Sequence, residues 1–343
     1  EFLLQPASNF NFVNLSETKP YWVTHTKPWT HVIEKTFPHI KGYIASDNIK
    51  IDSESSFLPI FKIRPLIRKK TSWLSIPYAT ISDPVLRDIS LAEPFLKLLI
   101  SHPLTNNYPV EIRSSTKLPV SKQFSQNSGY CSHQLYLNGD ENETFRRFHT
   151  KAVQVHIRKS LQSGITLKNG TGINDVVAFY KIYIKMRREL GLPPQPFRFF
   201  KNMWLELFPH NLELLLAQYD GKTVAGMWIL KNNWLYSFEY LARAQRRDKL
   251  CCTHFLYWQG IRNALRESIP VVSFGRMSTR NKGLNLFKQR WGTEIVPYYD
   301  YNYPIKKEVS RENSRLYMLM QKYSPKLPLP VFRLLGEIIY RLV

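Results

Sequence analysis

The sequence predicts an α/β (α+β) chain of two domains, each with a mixed, mostly antiparallel sheet flanked by helices, followed by a helical C-terminal tail. Three observations carry this. The 343 residues exceed the size at which one hydrophobic core usually stops growing. In the second half the apolar periodicities run helix, helix, three strands, basic turn, helix, strand, basic segment, strand. The first half has a similar mixed order without an internal sequence repeat. The polar turn at Gly139–Asn142 sets the expected limits at 1–138, 139–304 and, for the tail, 305–343.

Taken in order, Trp29–Phe37 reads as a short helix ended before Pro38. Gly42–Ala45 and Phe57–Ile63 read as the strands of a hairpin across the polar turn Ser46–Ser56. Arg64–Trp73 is a basic hairpin tip. Leu91–Ser101, with Leu91, Phe95, Leu98 and Leu99 on one face, is a helix leading into the strand Val110–Arg113, and Tyr130–Leu137 alternates as a half-exposed strand does. Thr144–Gln162 reads as one basic helix with a thin apolar side, either a solvated wall or a docking surface for phosphates.

Asp175–Leu190 is an amphipathic helix terminated by Gly191 and Pro193-Pro194, and Phe197–Leu207 is a second. Leu212–Gln218, Thr223–Lys231 and Trp234–Tyr240 form an antiparallel meander, its first two strands joined by an Asp220-Gly221 turn. Thr253–Glu267 buries Phe255, Leu256, Trp258, Ile261 and Leu265 as a helix. Pro270–Phe274 is a strand that Gly275 lets the chain leave sharply. Phe274–Gly292 then reads as a basic loop, and Ile295–Tyr299 as a strand that Pro297 assigns to an edge or a bulge.

Lys and Arg total 48 against 26 Asp and Glu, a formal charge of +22. That surplus exceeds what solubility requires and implies a polyanion: nucleic acid, an anionic membrane or a phosphate-bearing small substrate. No apolar run reaches the roughly 18 residues a spanning helix needs and no signal pattern opens the chain, so a cytoplasmic location is expected, with peripheral contact at the inner face of the membrane. Cys131, Cys251 and Cys252 have no CxxC spacing, which suits a reducing compartment and predicts no metal site. The tail, ending LPLPVFRLLGEIIYRLV, is either a helix covering apolar surface or a contact with a membrane surface.

Leu58-Pro59 with its basic hairpin, Ser75–Tyr78, Glu111–Arg113, Lys151 through Ile157-Arg158-Lys159, Phe179-Tyr180 with Met186-Arg187, Leu190–Pro193, Phe274-Gly275-Arg276, and Phe287-Lys288 with Trp291-Gly292 follow in that order. In this order they resemble the FemAB-like aminoacyltransferase family, especially the branch associated with exopolysaccharide and exosortase systems. The resemblance runs through most of the chain. It implies two tandem GNAT-like domains and transfer of an aminoacyl or acyl group to an amine of a cell-envelope, peptidoglycan or exopolysaccharide precursor that bears phosphate. The implied donor is aminoacyl-tRNA, with acyl-CoA as the alternative, and no tightly bound cofactor is implied.

By that resemblance Lys288 stabilises the charge that develops on the ester carbonyl or on the leaving ribose oxygen. Phe287 either shapes the pocket, stacks on the terminal adenine of the donor or packs in the core, and Trp291 belongs to the same motif. Arg158, Lys159 and Arg276 are expected to hold acceptor or donor phosphates. Glu239, near the end of a central strand, is the best-placed base, although substrate-assisted proton transfer needs none. Where an acetyl-CoA site uses a glycine-rich turn ahead of a helix, this chain has Gln245-Arg246-Arg247-Asp248-Lys249-Leu250. Gln245, Arg246 and Arg247 are the candidate holders of a donor phosphate there. Two other readings stay open: a CoA-dependent N-acetyltransferase acting on an amino sugar, and a non-catalytic basic module binding nucleic acid or a membrane surface.

Overall fold

A computed structural model describes residues 2–12, 21–65, 70–245, 248–305 and 315–342. The chain forms two compact units: Glu1–Cys131 with Pro297–Val309 and Tyr340–Val343, and Ser132–Val296 with Ser310–Ile339.

The first unit begins with β1 (Leu3–Pro6), β2 (Asn11–Phe12), α1 (Lys27–Thr36), β3 (Ile40–Ser46), β4 (Lys50–Ile51), β5 (Phe57–Ile63), β6 (Ser72–Ser75), α2 (Ala92–Ser101) and β7 (Val110–Ser114). Thr26 starts α1 by accepting a bond from the Trp29 N–H. The expected hairpin is there, with β3 antiparallel to β5 in the register Gly42↔Phe61. β1 pairs with β3 and β6 with β5, both antiparallel, whereas β6 and β7 run parallel at Trp73↔Val110. A parallel pair needs a crossover, and α2 supplies it. Part of the expected basic tip, residues 66–69, lies outside the described residues.

β8 (Ser125–Tyr136) leads into the second unit. Its elements are α3 (Glu141–Arg146), α4 (Val155–Gln162), β9 (Thr166–Asn169), α5 (Ile173–Glu189), α6 (Phe197–Leu207), β10 (Leu212–Tyr219), β11 (Lys222–Lys231), β12 (Leu235–Arg243), α7 (Cys252–Arg266), β13 (Val271–Ser278) and α8 (Lys282–Gln289). β14 (Glu294–Tyr303) follows, then α9 (Arg315–Tyr323) and α10 (Leu329–Leu342). The pairing repeats the first unit's plan. β9, β10, β11 and β12 are successively antiparallel, then β12 and β13 run parallel at Leu235↔Val271 with α7 as the crossover. Asp220 and Gly221, at φ 48° and 68°, make the expected tight turn.

Three expectations change. The helix read over Thr144–Gln162 is two helices: α3 ends at Arg146, a π-turn spans Thr150–Gln154, and α4 starts at Val155. At the break Phe148 is buried against Trp258 and Trp291, while the His149 N–H donates to the Arg290 carbonyl at 2.8 Å, and a straight helix would forfeit both. The basic segment after Phe274 is not a loop. β13 runs on to Ser278, and Asn281 caps α8 by accepting from the Leu284 N–H at 3.1 Å. The strand holding Pro297 is not at an edge: β14 lies between β7 and β8, and its ladder with β7 starts only after the proline, at Tyr299↔Ser114.

Candidate functional site

The site is built where β12 and β13 meet in the second unit. Their parallel ladder covers only Leu235–Ser237 against Val271–Ser273, although the strands run on to Arg243 and Ser278. Just beyond it Gly275 has φ 75°, and a Cβ there would lie 2.9 Å from the Phe238 carbonyl. Only glycine accepts both conditions. Successive carbonyls of a regular strand face opposite ways. The positive φ turns two of them, Phe274 and Gly275, toward one donor: the Lys288 ammonium, at 2.5 and 3.0 Å.

Lys288 comes from α8, which inverts the usual amphipathic arrangement. Its cation is inside, 4% exposed, while Leu284 and Leu286 face outward. Burying an ammonium is costly unless its donors are satisfied, and both carbonyls accept from it. His133, on β8, stands beside it. Its Nδ1 is 2.9 Å from Thr293 Oγ1, which in turn donates to the Lys288 backbone carbonyl at 2.9 Å. With the threonine proton committed there, Nδ1 is the donating nitrogen of the ring. Burial first and the Lys288 charge second lower the His133 pKa, so the ring is neutral at pH 7.

Glu239 and Arg276 each lie one residue past the Phe238 and Gly275 approach, on β12 and β13 respectively. Both are half-buried, and the Glu239 carboxylate accepts from Ser237 Oγ at 2.6 Å. Glu239 and Arg276 thus flank the approach of Phe238 to Gly275, whose carbonyl accepts from Lys288. The other expected residues are elsewhere. Trp291 has no exposure and stacks on His254 at 5.7 Å, with Phe148 and Tyr257 at its edges. It is core and offers no face to a base. Phe287 is partly buried in the same cluster, 5.5 Å from His254 and 5.9 Å from Tyr257. Arg158 and Lys159 are exposed on α4. The Arg158 guanidinium lies over Phe145 at 5.2 Å and bonds Gln154, and the Lys159 charge reaches Cys251.

The start of α7 is the position at which a helix N-terminus can hold a phosphate. Here an acid of the chain's own fills it. The Asp248 carboxylate accepts from the Cys252 N–H at 2.7 Å and the Thr253 N–H at 2.9 Å, with Cys251 at φ 55°. Gln245 is exposed ahead of it, and Arg246 and Arg247 lie outside the described residues. Burial, aided by Asp248, raises the thiol pKa of Cys252 to about 12, and Cys251 is raised likewise; neither is a nucleophile at neutral pH. Beside them His254 stacks on His156 at 4.8 Å, and burial followed by the His156 charge lowers its pKa to about 4. Sequence reasoning missed Asp248 and His133. Asp248 stands three residues before the N-cap position of α7, Cys251, so the usual cap spacing did not mark it; nothing local marked His133.

Residues 148–289 match the family described as an acetyltransferase (GNAT) domain. FemX is similar in structure, at 12% identity and a TM-score of 0.66, over 87% of this chain and 94% of its own. The chain has a FemAB-like tandem GNAT fold. A conserved protein of unknown function from Bacteroides thetaiotaomicron is similar at 11% identity and TM-score 0.51, over 80% of this chain and 89% of its own. A tandem GNAT protein from the clavulanic acid biosynthesis pathway scores 0.49 at 11% identity, over 90% of this chain and all of its own. No curated protein matches the sequence. The family match falls within the second unit, on α5–α7 and β10–β13, and β1–β7 repeat its strand plan in the first.

Proposed function

We infer that the chain is an N-acyltransferase of the FemAB type, moving an aminoacyl group from its tRNA ester to an amine of a phosphate-bearing cell-envelope precursor. One observation favours this donor over a CoA thioester: Asp248 occupies the amides of α7 that a pyrophosphate would take. A carboxylate there both removes the donors and repels the diphosphate. A groove of about 560 Å³ between α5 and β11, lined by Lys181, Lys185 and Lys222 and by no carboxylate, suits a nucleic-acid backbone.

The amine attacks the ester carbonyl, and a new C–N bond forms as the carbonyl π pair moves to oxygen. Lys288, fixed by two backbone carbonyls, faces that oxyanion; a preorganised donor of this kind lowers the barrier by about 3–4 kcal/mol. The intermediate collapses with loss of the ribose oxygen. The nitrogen of the attacking amine, cationic once the C–N bond has formed, gives its proton to Glu239 or directly to the departing ribose oxygen, and Arg276 holds acceptor or donor phosphate.

A second reading, CoA-dependent N-acetylation of an amino sugar, is favoured by the acetyltransferase domain match over residues 148–289. Titration calorimetry with charged tRNA and with acetyl-CoA separates the two. Tight tRNA binding with acetyl-CoA weaker than millimolar is the expected result. Micromolar acetyl-CoA binding without tRNA binding overturns the proposal in favour of the second reading.

A further inference from the structure

The C-terminal helices present an apolar face that nothing in the second unit covers. On α10, Val331, Leu334 and Ile338 recur at i, i+3 and i+7, so they share one side of the helix. They are 50%, 60% and 45% exposed, whereas Phe332, on the opposite side, is fully buried. That inner side is firmly docked. Gly336 lies so close to the Pro194 carbonyl that a Cβ would come within 2.5 Å of it, and Glu337 pairs with Arg198 at 3.3 Å. The outward face is thus a fixed feature of a packed helix. Leu319 and Tyr323, also at helical spacing and about half exposed, repeat the pattern on α9.

We propose that the outward face of α10 is a docking surface for an anionic lipid bilayer. The helix has 14 residues, too few to span hydrocarbon, which takes about 20; among the described residues no helix is long and apolar enough to cross a membrane. A short amphipathic helix with basic flanks instead lies in the headgroup plane, its apolar side chains inserted to roughly 5–10 Å. The flanks fit. Lys322, Lys326, Arg333 and Arg341 are exposed around the two helices, and each cation near an anionic leaflet adds to the attraction. The same charge argues against a second copy as the occupant, because two chains of +22 would bring like-charged surfaces together. The surface serves an acceptor held at a membrane but does not depend on which acyl donor the enzyme uses.

The test uses the full chain with vesicles of phosphatidylglycerol and phosphatidylcholine, and with pure phosphatidylcholine as control. Sedimentation is expected with the anionic vesicles and at least tenfold weaker with the neutral ones, and the double variant Leu334→Glu, Ile338→Glu is expected to lose at least tenfold in partition. Because that variant exposes charge next to a docked helix, an environment-sensitive fluorophore on Ile338→Cys gives an independent readout; the native cysteines are buried. Its emission moves to the blue on anionic vesicles if the face inserts. Undiminished vesicle binding by the double variant, or an unmoved emission at Ile338→Cys, overturns the proposal. So does a concentration-dependent dimer that the double variant abolishes in the absence of any vesicle binding.

Discussion

Replacing Lys288 by Met keeps the length and apolar stem of the side chain and removes only the ammonium, which separates its fastening role from its chemical one. In the native state Nζ donates to Phe274 O and Gly275 O inside a slot where the residue is 4% exposed. Hydrogen bonds to a charged group contribute about 1.5–3 kcal/mol each, and leaving a buried carbonyl without a donor costs about 1–3 kcal/mol. Against this, the methionine avoids the cost of keeping an ammonium out of water, several kcal/mol. The net loss of stability is therefore about 1–3 kcal/mol, a modest drop in melting temperature that leaves the fold populated. If Lys288 faces the oxyanion, the rate falls by about 10²–10³, far more than the change in folded fraction. Circular dichroism melts and initial rates of aminoacyl transfer to an amine acceptor read the two effects separately. A folded Lys288→Met enzyme within about fivefold of the parent rate would refute the chemical role and leave only the fastening of α8 to β13.

Three further outcomes are expected. Trp291→Ala should destabilise by about 3–5 kcal/mol, as removal of a fully buried indole does; an unchanged melting temperature with weakened RNA binding would instead restore a base-stacking role. Asp248→Ala removes the cap of α7 and should cost about 0.5–2 kcal/mol, and calorimetry on that variant should show a gain in phosphate affinity if the carboxylate is what excludes it. His254 has a folded pKa of about 4, below the ordinary 6.5, so the unfolded chain takes up the proton first. Its contribution to stability is fully present above pH 6.5 and is lost as pH falls toward 4, by on the order of 3 kcal/mol. His254→Phe should flatten the melting temperature between those limits, and an unaltered slope would count against burial as the cause.

Much of the second unit was legible because its signals are local. The 3.6-residue spacing of Val176, Phe179, Tyr180 and Tyr183 fixed α5, and Gly191 at φ 66° ends it. Asp220-Gly221 made a two-residue turn between apolar strands, and Gly275 announced a backbone peculiarity whose nature the sequence left open. Lys288 could be singled out from its motif. Its burial could not, since an inward cation with leucines outside runs against the rule that reads helix faces from hydropathy.

Sequence by itself thus determined the order of elements from α5 to the start of β13 and the excess of positive charge, which depend on residues a few positions apart or on composition. Tertiary structure decided what depends on distant partners. The break at His149 answers to Arg290; the orientation of His133 is set by Thr293, 160 positions away. Trp291 became core because Phe148, His254 and Tyr257 surround it, and α10 shows Val331, Leu334 and Ile338 outward because Phe332 and Gly336 are the side that docks. Apolar periodicity says that a helix has a face to bury. Which face is buried, and whether any apolar surface is left for something else to cover, is settled only by what packs against it.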